Sequence, residues 1–219
     1  MIPAWFDVGV LTVVTVALLA LAVWRGRSLA EPSGSRRVAV VLFLVPTLAF
    51  GWAAAVEFRH QWSQRQATAV TRALTGNPAA TSVCQRFAPD LLDVQQIRGH
   101  VMSDQPDVAH LRRSTCNDFF RWLASDKAHP TEAEVVALHV VVHEAMHVGG
   151  EFAEAAAECT AMQHDAEAAA MLGAAPEEAR ALAEAYFRDV YPRMPDEYRS
   201  GDCSADGPLD LSPGDGTFP

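Results

Sequence analysis

Basic residues are scarce in this chain. Its 219 residues include 17 Lys and Arg against 27 Asp and Glu, and the formal net charge is −10. The imbalance grows after residue 56, where 13 basic side chains stand against 25 acidic ones. Because a protein needs a basic face to bind the phosphates of nucleic acid, the composition argues against a nucleic-acid partner.

Other common patterns are missing as well. The sequence has no CxxC pair, which argues against a cysteine-rich zinc knuckle or a thiol redox motif. It has no internal repeat, and no segment shows a convincing strand pattern. We therefore predict an all-α fold.

Two long apolar runs distinguish the first 56 residues from the rest. One covers residues 8–24 and extends outward to about residue 5, and the other covers residues 38–56 without a charge. As a helix, each run is long enough to cross about 30 Å of hydrocarbon. The sequence therefore predicts a transmembrane hairpin over residues 1–56, with spans at about 5–24 and 38–56 and the lipid bilayer as a partner.

The connection between the two runs is short and basic. It contains four arginines, Arg25, Arg27, Arg36 and Arg37. Such residues favour the cytoplasmic side, so we expect a cell-membrane protein with both termini and the C-terminal domain outside the cytoplasm. A cleaved signal peptide is the alternative, but signal peptides carry their positive charge before the apolar stretch.

All four cysteines follow the second apolar run. They are Cys84, Cys116, Cys159 and Cys203. An even number in an oxidising compartment suggests disulfides, and we expect cysteines that are neighbours in sequence to pair, Cys84 with Cys116 and Cys159 with Cys203. Four free buried thiols are the alternative.

Helical patterns continue after residue 56. We predict a helical linker over residues 57–79, a small helical extracytoplasmic domain over 80–203, and a flexible tail over 204–219 that is rich in Asp, Gly, Pro and Ser. Within the domain, helices are expected over about 111–124 and 151–172, and from Pro176 to before Pro192. Thr131 and Glu134 form a capping-box pattern before a helix that should reach Val148.

One motif in that helix carries chemistry. The segment 143–147 reads HExxH. Residues four apart lie on one helix face, so His143 and His147 can bind the same zinc ion. Glu144 is adjacent to the first ligand and can act as the general base on a zinc-bound water.

A third ligand is expected from the helix that follows the Gly149-Gly150 pair. If the two helices run antiparallel, Glu154 lies midway between His143 and His147. Glu158, one turn later, can then accept an imidazole N–H. The swapped assignment, with Glu158 on the metal, stays open. Glu151 is interpreted as a first-turn acid that the helix dipole favours.

HExxH followed by Glu-x-x-Ala-x-x-x-Ala, here residues 154–161, resembles the gluzincin branch of zinc metallopeptidases. The resemblance covers residues 131–165 and implies a zincin-like domain. It also implies that Glu154 is the third zinc ligand and that Glu158 supports a ligand. The metzincin pattern is not met, because Ala153 stands at the position of its third histidine.

Other side chains are weaker candidates. His139 lies one turn before His143 and is interpreted as a packed or supporting histidine, or as an alternative ligand. The remaining candidates have no fixed distance to the metal in the sequence; they are His100, His164, Tyr186, Tyr191, Tyr198 and Arg199.

Three functions follow from this pattern. The leading hypothesis is a membrane-anchored zinc metallopeptidase, a hydrolase in which zinc-activated water attacks a peptide bond and Glu144 takes the proton. The first alternative is a non-catalytic ectodomain that zinc stabilises and that binds an envelope component or a protein partner. The second is a helical membrane protein without a metal.

Overall fold

The computed structural model describes residues 10–28, 35–85, 98–214, 216 and 218–219. The chain divides into two compact units, Met1–Gln61 and Trp62–Pro219. Their helices and strands run in the order α1 (Val10–Ser28), α2 (Ser35–Thr75), β1 (Thr81–Cys84), β2 (Gly99–Met102), β3 (Gln105–Leu111), α3 (Arg113–Ala124), α4 (Glu132–Val148), α5 (Glu154–Met171) and α6 (Pro176–Ala185).

Both apolar runs of the first unit form helices, but the predicted transmembrane hairpin is wrong. Of the helices in the described ranges, none combines the length and the apolar content needed to cross a lipid bilayer. Helix α1 also contains Arg25 and Arg27, which follow its apolar residues directly. The residues before Val10, which the predicted first span included, lie outside the described part.

The second apolar run is only one part of a longer helix. In α2, which has 41 residues, Pro46 interrupts the apolar run, and Glu57 and Arg59 follow it without a break. The predicted two-span membrane location is therefore wrong. The position of both termini and the C-terminal domain outside the cytoplasm was deduced from those spans and loses that basis.

A small sheet in the second unit corrects the all-α prediction. Its strand order is β1-β3-β2, with β1 parallel to β3 and β2 antiparallel to it. Ser82 and Cys84 of β1 lie on the buried face of the sheet beside Ala109 and Leu111 of β3. Two of the strands have only four residues, which is too short for alternation to stand out in the sequence.

Helices cover the buried face of this sheet. Helix α4 is buried along most of its length and contacts β3, α3 and α5, and α5 in turn packs on α6. Side chains from these elements form one core in which Phe119, Trp122 and Leu138 are fully buried. After α6 the chain continues as a π-helical turn over Tyr186–Val190 and a 3-10 turn over Tyr191–Arg193.

The disulfide prediction is confirmed. Cys84 pairs with Cys116, which ties β1 to α3, and Cys159 pairs with Cys203, which ties α5 to the segment after α6. No cysteine is left free. The residues after Cys203 contact α5 through Gln163, whose side chain donates to Leu209 O and accepts from Leu211 N.

We expect the double substitution Cys84→Ala and Cys116→Ala to lower the free energy of unfolding by about 2–4 kcal/mol, because the disulfide closes a loop of 32 residues in the unfolded chain. Urea unfolding of the full chain measures the effect. Peptide mapping without reductant checks that the Cys159–Cys203 bond is intact in the variant. Equal unfolding free energies would contradict a structural role for this disulfide.

Candidate metal centre

The HExxH segment lies in the last two turns of α4, and the start of this helix is as predicted. Thr131 Oγ1 accepts from the backbone N–H of Glu134, and the Glu134 carboxylate accepts from the backbone N–H of Thr131, which completes the capping box. His143 and His147 are both buried, with 7% and 9% of their surface exposed. The motif therefore faces the interior of the second unit.

The chain reverses direction directly after the motif. Helix α4 ends at Val148, and Gly150 adopts a φ of +97°, a conformation that glycine reaches without strain. Glu151 N donates to Met146 O, and Gly150 N donates to His147 O. This pair of hydrogen bonds is the Schellman motif, which satisfies the last carbonyls of a helix. Helix α5 then begins at Glu154 and packs against α4.

Three donor atoms converge across this turn. Glu154 Oε2 lies 3.2 Å from His143 Nε2 and 3.3 Å from His147 Nε2. All three atoms lie within 4.8 Å of one another. Bonds of about 2.0–2.1 Å at tetrahedral angles would separate ligand atoms by about 3.4 Å. These separations fit a single small cation, so the buried His/Glu group could hold a metal ion.

The Nδ1 atom of His147 is held by the turn between α4 and α5. This nitrogen lies 2.6 Å from Glu151 O, so an Nδ1–H donating to that carbonyl leaves the Nε2 lone pair facing Glu154. Glu151 is not the first-turn acid that the sequence suggested, because α5 begins three residues later. Its carboxylate instead accepts from Ala153 N.

His143 has carboxylates on both sides. Its Nδ1 lies 2.9 Å from Glu158 Oε2, within ion-pair distance although off the direction of a hydrogen bond. Burial alone would lower the pKa of His143, but Glu154 and Glu158 outweigh it and raise the pKa to about 9. The same two carboxylates favour a metal cation in place of that proton.

A buried polar group lies behind His143. His139 Nε2 lies 3.0 Å from Glu158 Oε2, and His139 Nδ1 lies 2.8 Å from Asp165 Oδ2. Burial alone would lower the pKa of His139, and the two carboxylates raise it to about 10. Asp165 was not a candidate in the sequence, because a partner 26 residues away leaves no local pattern.

Glu144 faces the sheet. Only 3% of its surface is exposed, and its buried Oε2 has no hydrogen-bond partner within the described ranges. Burial raises its pKa to about 7. A Cβ added at Gly99, the first residue of β2, would lie 2.5 Å from Glu144 Oε1 and 2.7 Å from Glu144 Cγ. Gly99 therefore allows β2 to approach the proposed base closely, a role that only the tertiary structure reveals.

Tyr198 lies beside the converging donors. Its ring centroid is 5.8 Å from that of His143. Partial burial raises the pKa of its hydroxyl to about 12, and the Glu154 carboxylate adds to this effect. Tyr198 was only a weak candidate in the sequence, since nothing local connects it with α4.

The other weak candidates lie elsewhere or have other partners. His100 stacks on His110 across β2 and β3, and His164 pairs with Glu167 on α5. Tyr191 hydrogen-bonds the backbone of Ser200, and Arg199 pairs with Asp196. Tyr186 lies in the interior and donates to Glu158 Oε1 at 2.6 Å.

We expect Gly99→Ala to destabilise the chain by about 1–3 kcal/mol, because the new methyl group collides with a buried side chain that has little room to move. Urea unfolding measures the change. Gly201→Ala is the matched control, since its Cβ would meet no atom within 4 Å. A Gly99→Ala protein as stable as Gly201→Ala would contradict the close approach.

The raised pKa of Glu144 predicts a pH-dependent stability. Between pH 4.5 and about 7 the unfolded chain releases this proton before the folded chain does, so the wild type loses stability as the pH rises. Glu144→Gln cannot ionise. In chelator-treated protein, its unfolding free energy relative to wild type should therefore rise by up to about 3 kcal/mol across this window.

Urea unfolding at several pH values measures this difference. Glu177→Gln removes the same charge from an exposed position and is the control. A Glu144→Gln difference that varies with pH no more than the Glu177→Gln difference would contradict the burial of an ionisable group at position 144.

Comparisons of the chain with models of protein families, with curated proteins and with solved structures find no match.

Proposed function

We propose that this chain is a zinc-dependent hydrolase that cleaves peptide bonds, with a site resembling that of the gluzincins. One observation carries the proposal: His143, His147 and Glu154 converge with ligand-atom contacts of 3.2 and 3.3 Å. Two imidazoles and one carboxylate form a donor set typical of catalytic zinc, which keeps a further position for water or substrate.

Zinc, when bound there, supplies a Lewis acid that polarises a carbonyl and lowers the pKa of water. The residues around it supply orientation and proton transfer. The Glu151 carbonyl fixes the ring of His147, and Glu158 lies against Nδ1 of His143. Each imidazole thus has its Nδ1 beside a carbonyl or a carboxylate oxygen, while its Nε2 faces Glu154.

Glu144 is the proposed general base. A pKa of about 7 allows a carboxyl group to take a proton at neutral pH and to return it to a leaving amine.

The neighbouring strand supports a peptide as the substrate. Within the described residues β2 lies at an edge of the sheet, so its outer side can pair with an extended chain. Gly99 of β2 is next to Glu144, and a peptide along this edge would pass close to the base. Tyr198, near His143, is available to donate a hydrogen bond to the substrate.

A second candidate function is a metal-stabilised binding module without catalysis. The observation that favours it is a second donor group, His139, His143 and Glu158, in which every residue is buried. An ion held there would have no access to substrate and would only join α4 to α5. A closed structural site of this kind would need a fourth protein ligand in place of water.

We expect the purified full chain to bind about one zinc per molecule after equilibration with Zn²⁺, and His147→Ala to lose most of it. Metal analysis by plasma emission after dialysis measures the stoichiometry. His164→Ala is the matched control, because His164 lies on α5 with Glu167 as its partner and should leave the zinc content unchanged. A wild-type chain without bound zinc would overturn the proposal.

Activity against a mixed peptide library separates the two candidate functions. In Glu144→Gln we expect zinc to be retained and hydrolysis to fall by a factor of about 10²–10⁴, since only the base is removed. Glu177→Gln should hydrolyse peptides like the wild type. Bound zinc without hydrolysis in the wild type, together with a four-ligand site in X-ray absorption, would favour the binding module.

A further inference from the structure

A line of alternating acids and imidazoles runs inward from the candidate metal centre. From His143 it passes to Glu158, then to His139 and finally to Asp165, with contacts of 2.9, 3.0 and 2.8 Å. The side chains of Glu158, His139 and Asp165 are at most 2% exposed. Such a network is expensive to bury, and packed apolar residues could provide similar stability. Its presence therefore calls for a role beyond packing.

Both oxygens of Glu158 are already engaged. Oε1 accepts from the Tyr186 hydroxyl at 2.6 Å, and Oε2 contacts both His139 and His143. Glu154 differs, because 41% of its side chain is exposed and its described contacts are to the two motif histidines. Glu158 is thus held by interior side chains, whereas Glu154 is partly exposed to solvent, from which an ion and a substrate would enter.

The position of Tyr186 depends on an irregular turn. Helix α6 ends at Ala185, and the next five residues form a π-helical turn that begins with Tyr186. Tyr186 is 1% exposed, and its ring stacks on that of His139 with centroids 3.5 Å apart. Single π-helical turns are rare and occur frequently at functional sites.

We propose that Tyr186, His139 and Asp165 form a positioning network that fixes Glu158 against Nδ1 of His143 and so orients His143 towards a metal ion. This inference rests on the proposed function. In it Glu158 supports a ligand and does not bind the ion, and Glu154 is the third ligand. Tyr186 never touches the ion; it acts only through Glu158.

The test compares zinc affinity in four full-length variants. Tyr186→Phe removes the hydroxyl and keeps the ring, and Tyr191→Phe is the matched control, a buried tyrosine whose hydroxyl bonds the backbone of Ser200. Glu158→Gln and the double variant Tyr186→Phe/Glu158→Gln complete a cycle. Dissociation constants come from competition with a chromophoric chelator, Co²⁺ absorption reports the ligand field, and thermal unfolding without metal reports folding.

We expect Tyr186→Phe and Glu158→Gln each to weaken zinc binding about 10- to 100-fold, the range for removing a group that supports a metal ligand. Tyr191→Phe should bind like the wild type. In the Glu158→Gln background, Tyr186→Phe should change the dissociation constant by no more than about twofold, because its effect passes through Glu158.

Several outcomes would overturn the inference. The first is a Tyr186→Phe protein whose zinc affinity and Co²⁺ spectrum match those of the wild type. The second is an unchanged zinc affinity in Glu158→Gln. The third is an equal loss of affinity from Tyr186→Phe in the wild-type and the Glu158→Gln backgrounds. The Glu158→Gln result decides the matter if Tyr186→Phe does not fold. In all of these cases the wild type still binds zinc and the proposed function stands. If the wild type binds no zinc, the proposed function fails and the network has no ion to serve.

Discussion

The reversal of the chain between α4 and α5 is the constraint on which the rest of the site depends. The positive φ of Gly150 ends α4 with its last carbonyls satisfied and sends α5 back along it. A residue with a Cβ would be strained in this conformation. The same short turn brings the Glu151 carbonyl to His147 and the Glu154 carboxylate to both motif histidines. The backbone turn that ends α4 therefore also brings the candidate metal-donor atoms together.

The buried acids around α4 differ in the direction of their pKa shifts. Glu144 and Glu158 are both almost fully buried, yet the first has a raised pKa and the second a pKa well below its ordinary range. The difference comes from partners, because His139 and His143 stabilise the Glu158 carboxylate, whereas Oε2 of Glu144 has no hydrogen-bond partner among the residues that the structure describes. Opposed shifts in neighbouring acids are a recurrent property of sites that move protons.

The two disulfides support the elements around this centre. Cys159 directly follows Glu158 and is tied to Cys203, a few residues after Tyr198. Cys84 and Cys116 connect the sheet, whose strand β2 approaches Glu144, with the helix that packs on α4. Both bonds restrict the unfolded chain and so favour the arrangement in which the donors meet.

The sequence alone determined the features that depend on near neighbours. The capping box placed the start of α4, the i, i+4 spacing put both histidines on one face, and pairing of adjacent cysteines gave both disulfides. Apolar composition predicted helices but not their bounds, and so misled about the membrane. Only the tertiary structure decided the sheet, the approach of Gly99 to Glu144, and the partners Asp165 and Tyr186. These contacts join segments that are far apart in the chain. A local sequence pattern cannot predict which distant side chains will pack together in the interior.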